Sequence, residues 1–287
     1  MLDRVVALAA LVPFAVGASV GPAEPVSTVD FTFEDPAIVE SSGLVVRDGL
    51  FVTVNDSGDS GRIFTVDGSG ATVGTTAWSP DPVDVEALAP AGPGEVWVAD
   101  IGDNPGSRTT ITVTRVPFGP GDRTVAPAAY TLVYPDGAHD AETLLAHPGT
   151  GRLFVVTKSI FGGTMYAAPR ELSATEPNEL VPVAGATAVA TDGSFYPDGK
   201  RYVLRDYRTA TVYSYPEHER LSSFRLPTQP QGEGIAVAED GSVHISTEGQ
   251  FADVLRLDTV TAWGWVSAAI GFVGDAARLL LGHGAAA

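Results

Sequence analysis

Short apolar runs rich in β-branched and aromatic residues recur along this chain, and glycine or proline falls between most of them. One set reads Leu50-Phe51-Val52-Thr53-Val54, Glu95-Val96-Trp97-Val98-Ala99, Leu153-Phe154-Val155-Val156-Thr157, Tyr202-Val203-Leu204 and Val243-His244-Ile245-Ser246. That composition predicts strands. Each run follows a turn such as Gly92-Pro93-Gly94, Pro197-Asp198-Gly199 or Asp240-Gly241, where glycine and proline supply hairpin geometry. A further strand follows each: Arg62-Ile63-Phe64, Thr110-Ile111-Thr112-Val113, Thr164-Met165-Tyr166, Thr211-Val212-Tyr213 and Val254-Leu255-Arg256. A fourth strand per unit is weaker. Pro120, Pro127, Pro177 and Pro182 lie near it, as suits an outer edge where a missing N–H costs little.

A short motif opens every unit: a polar residue, a small one, then a large apolar one. Its copies centre on Ser42, Glu86, Glu142, Gly193 and Glu233. They stand about 40–56 residues apart, around the length of a four-stranded propeller blade. The last unit has only three strands, and an orphan strand at 29–33 precedes the first. If that strand completes the last unit, the ring closes and its open edge disappears. The expected fold is therefore all-β, a single β-propeller of about five four-stranded blades over 26–260. The longest interval leaves room for a sixth.

The ends differ. Residues 1–23 read as an export signal or N-terminal anchor: Arg4, an apolar run, then small residues around Ala18 and Ala23. Over 261–287, Trp263, Val266, Ile270, Val273, Ala277 and Leu280 recur at helical spacing. This predicts a C-terminal amphipathic helix that packs on the propeller or contacts a membrane peripherally.

Charge narrows the partners. Lys plus Arg is 17 against 35 Asp plus Glu, a net charge of −18. Nucleic acid is excluded, since its phosphates need facing cations. The chain has no cysteine, so any metal is held by oxygen or histidine, and oxygen donors favour Ca²⁺. A secreted or cell-envelope location and a monomeric state are expected, with a small-molecule or envelope ligand.

The turns that lead into the first strand of each blade and leave its second strand open on one face. They carry Glu40, Asp84, Glu86, Asp140, Glu142, Asp192 and Glu233, then Asp56, Asp100 and Glu248. Crowded carboxylates raise one another's pKa, and a hard cation relieves this. Glu86, Glu142, Asp192, Glu233, Asp56 and Asp100 are the expected Ca²⁺ ligands. Structural hydrogen bonds and local salt bridges are the competing use of the same acids. Glu86 and Glu142 are also acid–base candidates, with His139 beside them. Lys158, Arg205 and Arg208 interrupt the acidity and suit an anionic ligand group.

Ser42-Gly43-Leu44 with Asn55-Asp56-Ser57-Gly58, Glu86-Ala87-Leu88 with Asp100-Ile101-Gly102-Asp103-Asn104, Glu142-Thr143-Leu144, and Glu233-Gly234-Ile235-Ala236 with Ser246-Thr247-Glu248-Gly249 resemble the secreted bacterial phytase-like propellers, also called "esterase-like activity of phytase" proteins. Asp192 to Gly199 is more weakly similar to gluconolactonase-type propellers, whose channel acids hold a divalent cation. The first resemblance implies hydrolysis of phosphate or carboxylic esters. Fold alone does not grant that activity. The alternative is a non-catalytic extracellular propeller that recognises an envelope ligand or protein through its rim loops, with Trp78, Tyr207 and Phe161 as contacts.

Overall fold

The computed structural model describes residues 25–56 and 58–258, and these form five sheets arranged as the blades of a propeller. Strand β1 (Val26–Thr32) comes first. Blade 1 holds β2 (Ser41–Arg47), β3 (Leu50–Asn55), β4 (Arg62–Val66) and β5 (Thr72–Ala77). Blade 2 holds β6 (Val85–Gly92), β7 (Glu95–Asp100) and β8 (Ile111–Pro117). After the short β9 (Arg123–Thr124) it gains β10 (Ala129–Val133). Blade 3 holds β11 (Ala141–Ala146), β12 (Leu153–Thr157) and β13 (Gly163–Ala167). After β14 (Asn178–Glu179) it ends with β15 (Val181–Ala186). Blade 4 is β16 (Asp192–Phe195), β17 (Arg201–Arg205), β18 (Thr209–Ser214) and β19 (Arg220–Arg225). Blade 5 is β20 (Gly232–Val237), β21 (Val243–Thr247) and β22 (Asp253–Asp258), completed by β1.

The orphan strand does close the ring: β1 pairs antiparallel with β22, from Val26 opposite Asp258 to Thr32 opposite Asp253. There is no sixth blade among the described residues. The long second interval instead holds β9, which crosses back to pair in parallel with β5, while β14 does the same to β10. Each short strand covers the outer edge of the preceding blade. The expected C-terminal helix is corrected. No helix occurs among the described residues, and 261–287 lie outside them. The described fold is strands and turns alone. The signal or anchor expected over 1–23 also lies outside the described residues.

Alternation along each inner strand builds the core. In β2, Val45 packs between blades 1 and 2 with Val52, Leu88 and Val98, whereas its neighbour Leu44 packs between blades 5 and 1 with Phe33, Phe64 and Val254. Period-two side chains thus fill two different blade interfaces. Five such clusters occur, one for each neighbouring pair of blades. Blades approach closely: a Cβ on Gly43 would lie 2.5 Å from the Leu88 backbone nitrogen. The tight hairpin between β2 and β3 puts Asp48 and Gly49 at φ of 54 and 73, which glycine adopts freely and aspartate tolerates.

Candidate functional site

All five inner strands, β2, β6, β11, β16 and β20, start at one end of the channel. Four of them carry a register irregularity there. In β6, Val85 faces Asp100 and Ala87 faces Ala99, leaving Glu86 unpaired between them. In β11, Ala141 faces Thr157 and Thr143 faces Val156, leaving Glu142. In β20 the unpaired residues are Glu233-Gly234, and in β2 they are Ser42-Gly43. A bulge re-aims its extra side chain out of the ladder. Three glutamates are placed at the mouth this way. β16 has no such shift: Asp192 pairs with Arg205 and Gly193 with Leu204.

Loops add to these glutamates. Asp56, Asp84 and Glu86 each offer a carboxylate oxygen, and the three oxygens lie within 4.8 Å of one another. Burial, then the charges of Asp56 and Asp140, raises Asp84 to about 6. Burial, followed by repulsion from Asp56, Glu142, Asp84 and Asp140, raises Glu86 to about 10. Glu86 therefore stays protonated at neutral pH unless a cation compensates it, whereas Asp84 is mostly ionised. Gly102 makes the approach feasible. A Cβ there would lie 2.4 Å from Asp84 Oδ2 and 2.6 Å from Glu86 Oε1. The oxygen-only donor set and its spacing fit a hard divalent cation such as Ca²⁺.

Beside this trio the Lys158 ammonium forms an ion pair with Glu142 and donates to the Tyr207 hydroxyl at 3.1 Å. Burial is the largest influence on Glu142 and raises it to about 8, although Lys158 pulls the other way. Burial disfavours the Lys158 charge, but Glu142 and Tyr207 more than offset this and hold its pKa above the usual lysine value. Burial raises Glu233 to about 7 against the pull of Lys158 and Arg205. Glu248 is likewise pushed up by burial, then by Asp56 and Glu40. Glu142 and Glu233 therefore change protonation near neutral pH, the range in which a general acid or base works best.

Other expected residues sit elsewhere. Asp192 is fully buried, accepts a hydrogen bond from the Ile235 N–H at 2.8 Å, and lies outside the trio. Asp100 accepts from the backbone N–H groups of Val83 (3.0 Å) and Asp84 (2.9 Å) and pairs with Arg108 at 2.8 Å. Asp103, in the same loop, accepts from the N–H groups of Ser107 and Arg108. These acids hold the loop shape. His139 bonds Asp136 at 3.0 Å and packs edge-on to Tyr134 and tilted against Tyr166. The Arg205 guanidinium is buried and donates to the carbonyls of Gly234 and Ser246. Burial lowers its pKa to about 10. Arg208 is exposed. Trp78, expected at the rim, is 9% exposed and packs in the blade 1–2 core. Tyr207 and Phe161 are exposed on loops at the mouth. Gly102 and Asp84 carry more of the trio's geometry than spacing suggests. The signal for Gly102 is its place between two loop acids.

No protein-family model matches the chain, and no curated protein matches it. Among solved structures, the crystal structure of Myxococcus xanthus glutaminyl cyclase is similar, with a TM-score of 0.53 and 13% sequence identity over 83% of this chain and 97% of that one. At that identity the likeness is one of fold, and it supports an all-β propeller.

Proposed function

We propose that the channel mouth binds Ca²⁺ through Asp56, Asp84 and Glu86, and that the adjoining Glu142, Lys158, Tyr207 and Glu233 hydrolyse a phosphate or carboxylic ester. The observation that carries this reading is the approach of three carboxylate oxygens to within 4.8 Å, next to a lone ammonium paired with a buried glutamate. A bound Ca²⁺ supplies Lewis-acid polarisation of the substrate oxygen. Lys158 neutralises an anionic oxygen of the substrate. The mouth has no serine elbow or cysteine, so water is the nucleophile. Glu233, at about 7, takes the water proton as the new bond to phosphorus or acyl carbon forms. Glu142, at about 8, gives its proton to the departing alkoxide as the ester bond breaks. Two buried carboxyls titrating on either side of the operating pH suit these opposed roles. The cation and the acidic surface fit the extracellular or envelope setting expected from the N-terminal segment.

The test is a melting scan of the full chain in chelator and in Ca²⁺, followed by turnover assays. With a dissociation constant of about 0.5 mM, in the range of extracellular modules, about 5 mM Ca²⁺ adds about 1.4 kcal/mol. That raises Tm by about 3–5 °C. Turnover of nitrophenyl phosphate or ester should vanish in chelator and in Glu142→Gln. An unchanged Tm in Ca²⁺ refutes the cation site. The substrate panel includes a glutaminyl peptide, because the fold neighbour is named a glutaminyl cyclase.

A second reading has its own observation. Val39, Val83, Ile160, Phe161, Tyr207 and Phe251 are exposed on loops at this same face. An apolar collar on a rigid ring suits recognition of an envelope ligand or protein without turnover. Silence across the whole substrate panel, together with a Ca²⁺-induced rise in Tm, favours that reading.

A further inference from the structure

In blades 1, 2 and 5 the last residue of the second strand has one task. Asn55 accepts from the N–H groups of Val39 (3.0 Å) and Glu40 (3.2 Å), Asp100 from those of Val83 and Asp84, and the Thr247 hydroxyl from that of Gln231 (3.0 Å). Each ties the turn that leads into its own blade to that blade's second strand. Arg205 of blade 4 stands at the same level: it pairs with Asp192, as Asn55 pairs with Ser41, Asp100 with Val85 and Thr247 with Gly232. Its Nε stays local, on the Asp206 carbonyl, but the fork leaves blade 4. Nη1 donates to the carbonyls of Gly234 (2.9 Å) and Ser246 (3.3 Å), and Nη2 to Gln229 Oε1 (3.3 Å) in the loop before β20.

Those acceptors surround the β20 bulge. Glu233 and Gly234 are its unpaired residues, and Ser246 stands opposite them. A bulge leaves backbone groups without ladder partners, and blade 4 supplies partners here. Arg205 holds the Gly234 carbonyl, Asp192 Oδ2 accepts from the Ile235 N–H at 2.8 Å, and Thr191 Oγ1 donates to the Glu233 carbonyl at 3.2 Å. All three residues are fully buried. Gly232 leaves room for the fork, since a Cβ there would overlap Nη2 of Arg205.

We infer that Arg205, with Thr191 and Asp192, is a positioning residue that holds the β20 bulge and so aims the Glu233 carboxyl into the mouth. The inference rests on the reading of Glu233 as the base of the proposed hydrolysis, but the aim of its carboxyl is measurable without turnover. A planar guanidinium reaches carbonyls of two strands at once, which an ammonium on a flexible stem does not reproduce. Without the fork two buried carbonyls lose a donor. That favours a regular ladder and turns Glu233 away from Lys158, whose charge acts on it.

The experiment follows the Glu233 carboxyl resonance of the full, ¹³C-glutamate-labelled chain through pH in chelator, assigned with Glu233→Gln. Four proteins form a cycle: native, Lys158→Met, Arg205→Lys and the double variant. In the native background Lys158→Met should raise the Glu233 midpoint by about 1 pH unit, because a counter-charge is gone. In the Arg205→Lys background, which keeps the positive charge, the same change should move it by under about 0.3 pH units, because Glu233 no longer faces Lys158. Gly232→Ala crowds the fork and changes no charge. It should uncouple Glu233 from Lys158 in the same way, and it carries the test if melting curves show Arg205→Lys unfolded. Where ester turnover is present, Arg205→Lys should lower kcat about tenfold and leave KM unchanged. Equal midpoint shifts in both backgrounds overturn the inference, since Arg205 then acts on Glu233 by charge alone. So does the absence of a shift in the native background. Lost coupling in a chain that turns over no ester refutes the hydrolysis and upholds the positioning of Glu233.

Discussion

Glu86 offers the sharpest handle on the mouth, because the residue is 4% exposed and its carboxyl is surrounded by other acids. Burial and those neighbours lift its pKa from 4.5 to about 10. Above the unfolded value the unfolded chain releases this proton and the folded chain keeps it. The folded state then holds more protons, so stability falls as pH rises. The loss begins near 4.5 and is complete only at about 10. Between pH 5 and pH 8 one such group costs at most about 4 kcal/mol, at about 1.4 kcal/mol per pH unit. Glu86→Gln keeps the shape and removes the titration. Urea unfolding in chelator at several pH values reads the effect. The native chain should lose stability toward pH 8 more steeply than Glu86→Gln, by about 1 kcal/mol per pH unit. A bound cation favours the ionised carboxylate, so Ca²⁺ should flatten the native profile. Parallel profiles of the two proteins in chelator would refute the reasoning.

Gly102→Ala drives a methyl against Asp84 Oδ2 and Glu86 Oε1. It should abolish the Ca²⁺-induced rise in Tm while the Tm in chelator moves much less. Lys158→Met strips Glu142 of its counter-charge. It should push the Glu142 pKa further up and lower turnover at pH 7, which a pH–rate profile reads. Phe33 is fully buried at the closure, edge-on to Phe31 at 5.5 Å. Phe33→Ala should cost about 3–5 kcal/mol, and a loss under about 1 kcal/mol would mean that the blade 5–1 junction is loosely packed.

The blades were readable because each inner strand serves two cores at once. That demand leaves a dense apolar pattern, as in Leu44-Val45 and Leu144-Leu145. The closure was readable because one unit lacked a strand that the N-terminal run could supply. Strands β9 and β14 were not, since two paired residues leave no period. Bulges were hidden as well. In the sequence Glu142 and Asp192 both look like acids leading into a strand. Only the register decides that Glu142 leaves the ladder while Asp192 stays in it. The loop from Asp100 to Asn104 shows a further limit. A carboxylate that caps backbone N–H groups and one that awaits a cation have the same sequence signature, and three-dimensional partners tell them apart.

Blade 4 explains how the mouth tolerates its charge. A fourth bulged acid at this level would add repulsion to Glu86, Glu142 and Glu233, whose pKa values are already raised. Instead β16 keeps a regular register and turns Asp192 inward, opposite Arg205. Both are fully buried. Burial pushes the Asp192 carboxyl up, and Arg205 opposes this. The same guanidinium pulls Glu233 down, as Lys158 does for Glu142 from blade 3. The ring therefore divides. Blades 1 and 2 supply Asp56, Asp84 and Glu86, where Arg108 moderates Asp84. Blades 3 and 5 supply Glu142 and Glu233, tempered by Lys158 of blade 3 and Arg205 of blade 4. The proposed cation would sit on the first side. The proposed proton exchange would fall on the second, because a nearby positive charge brings a buried glutamate back toward neutral pH.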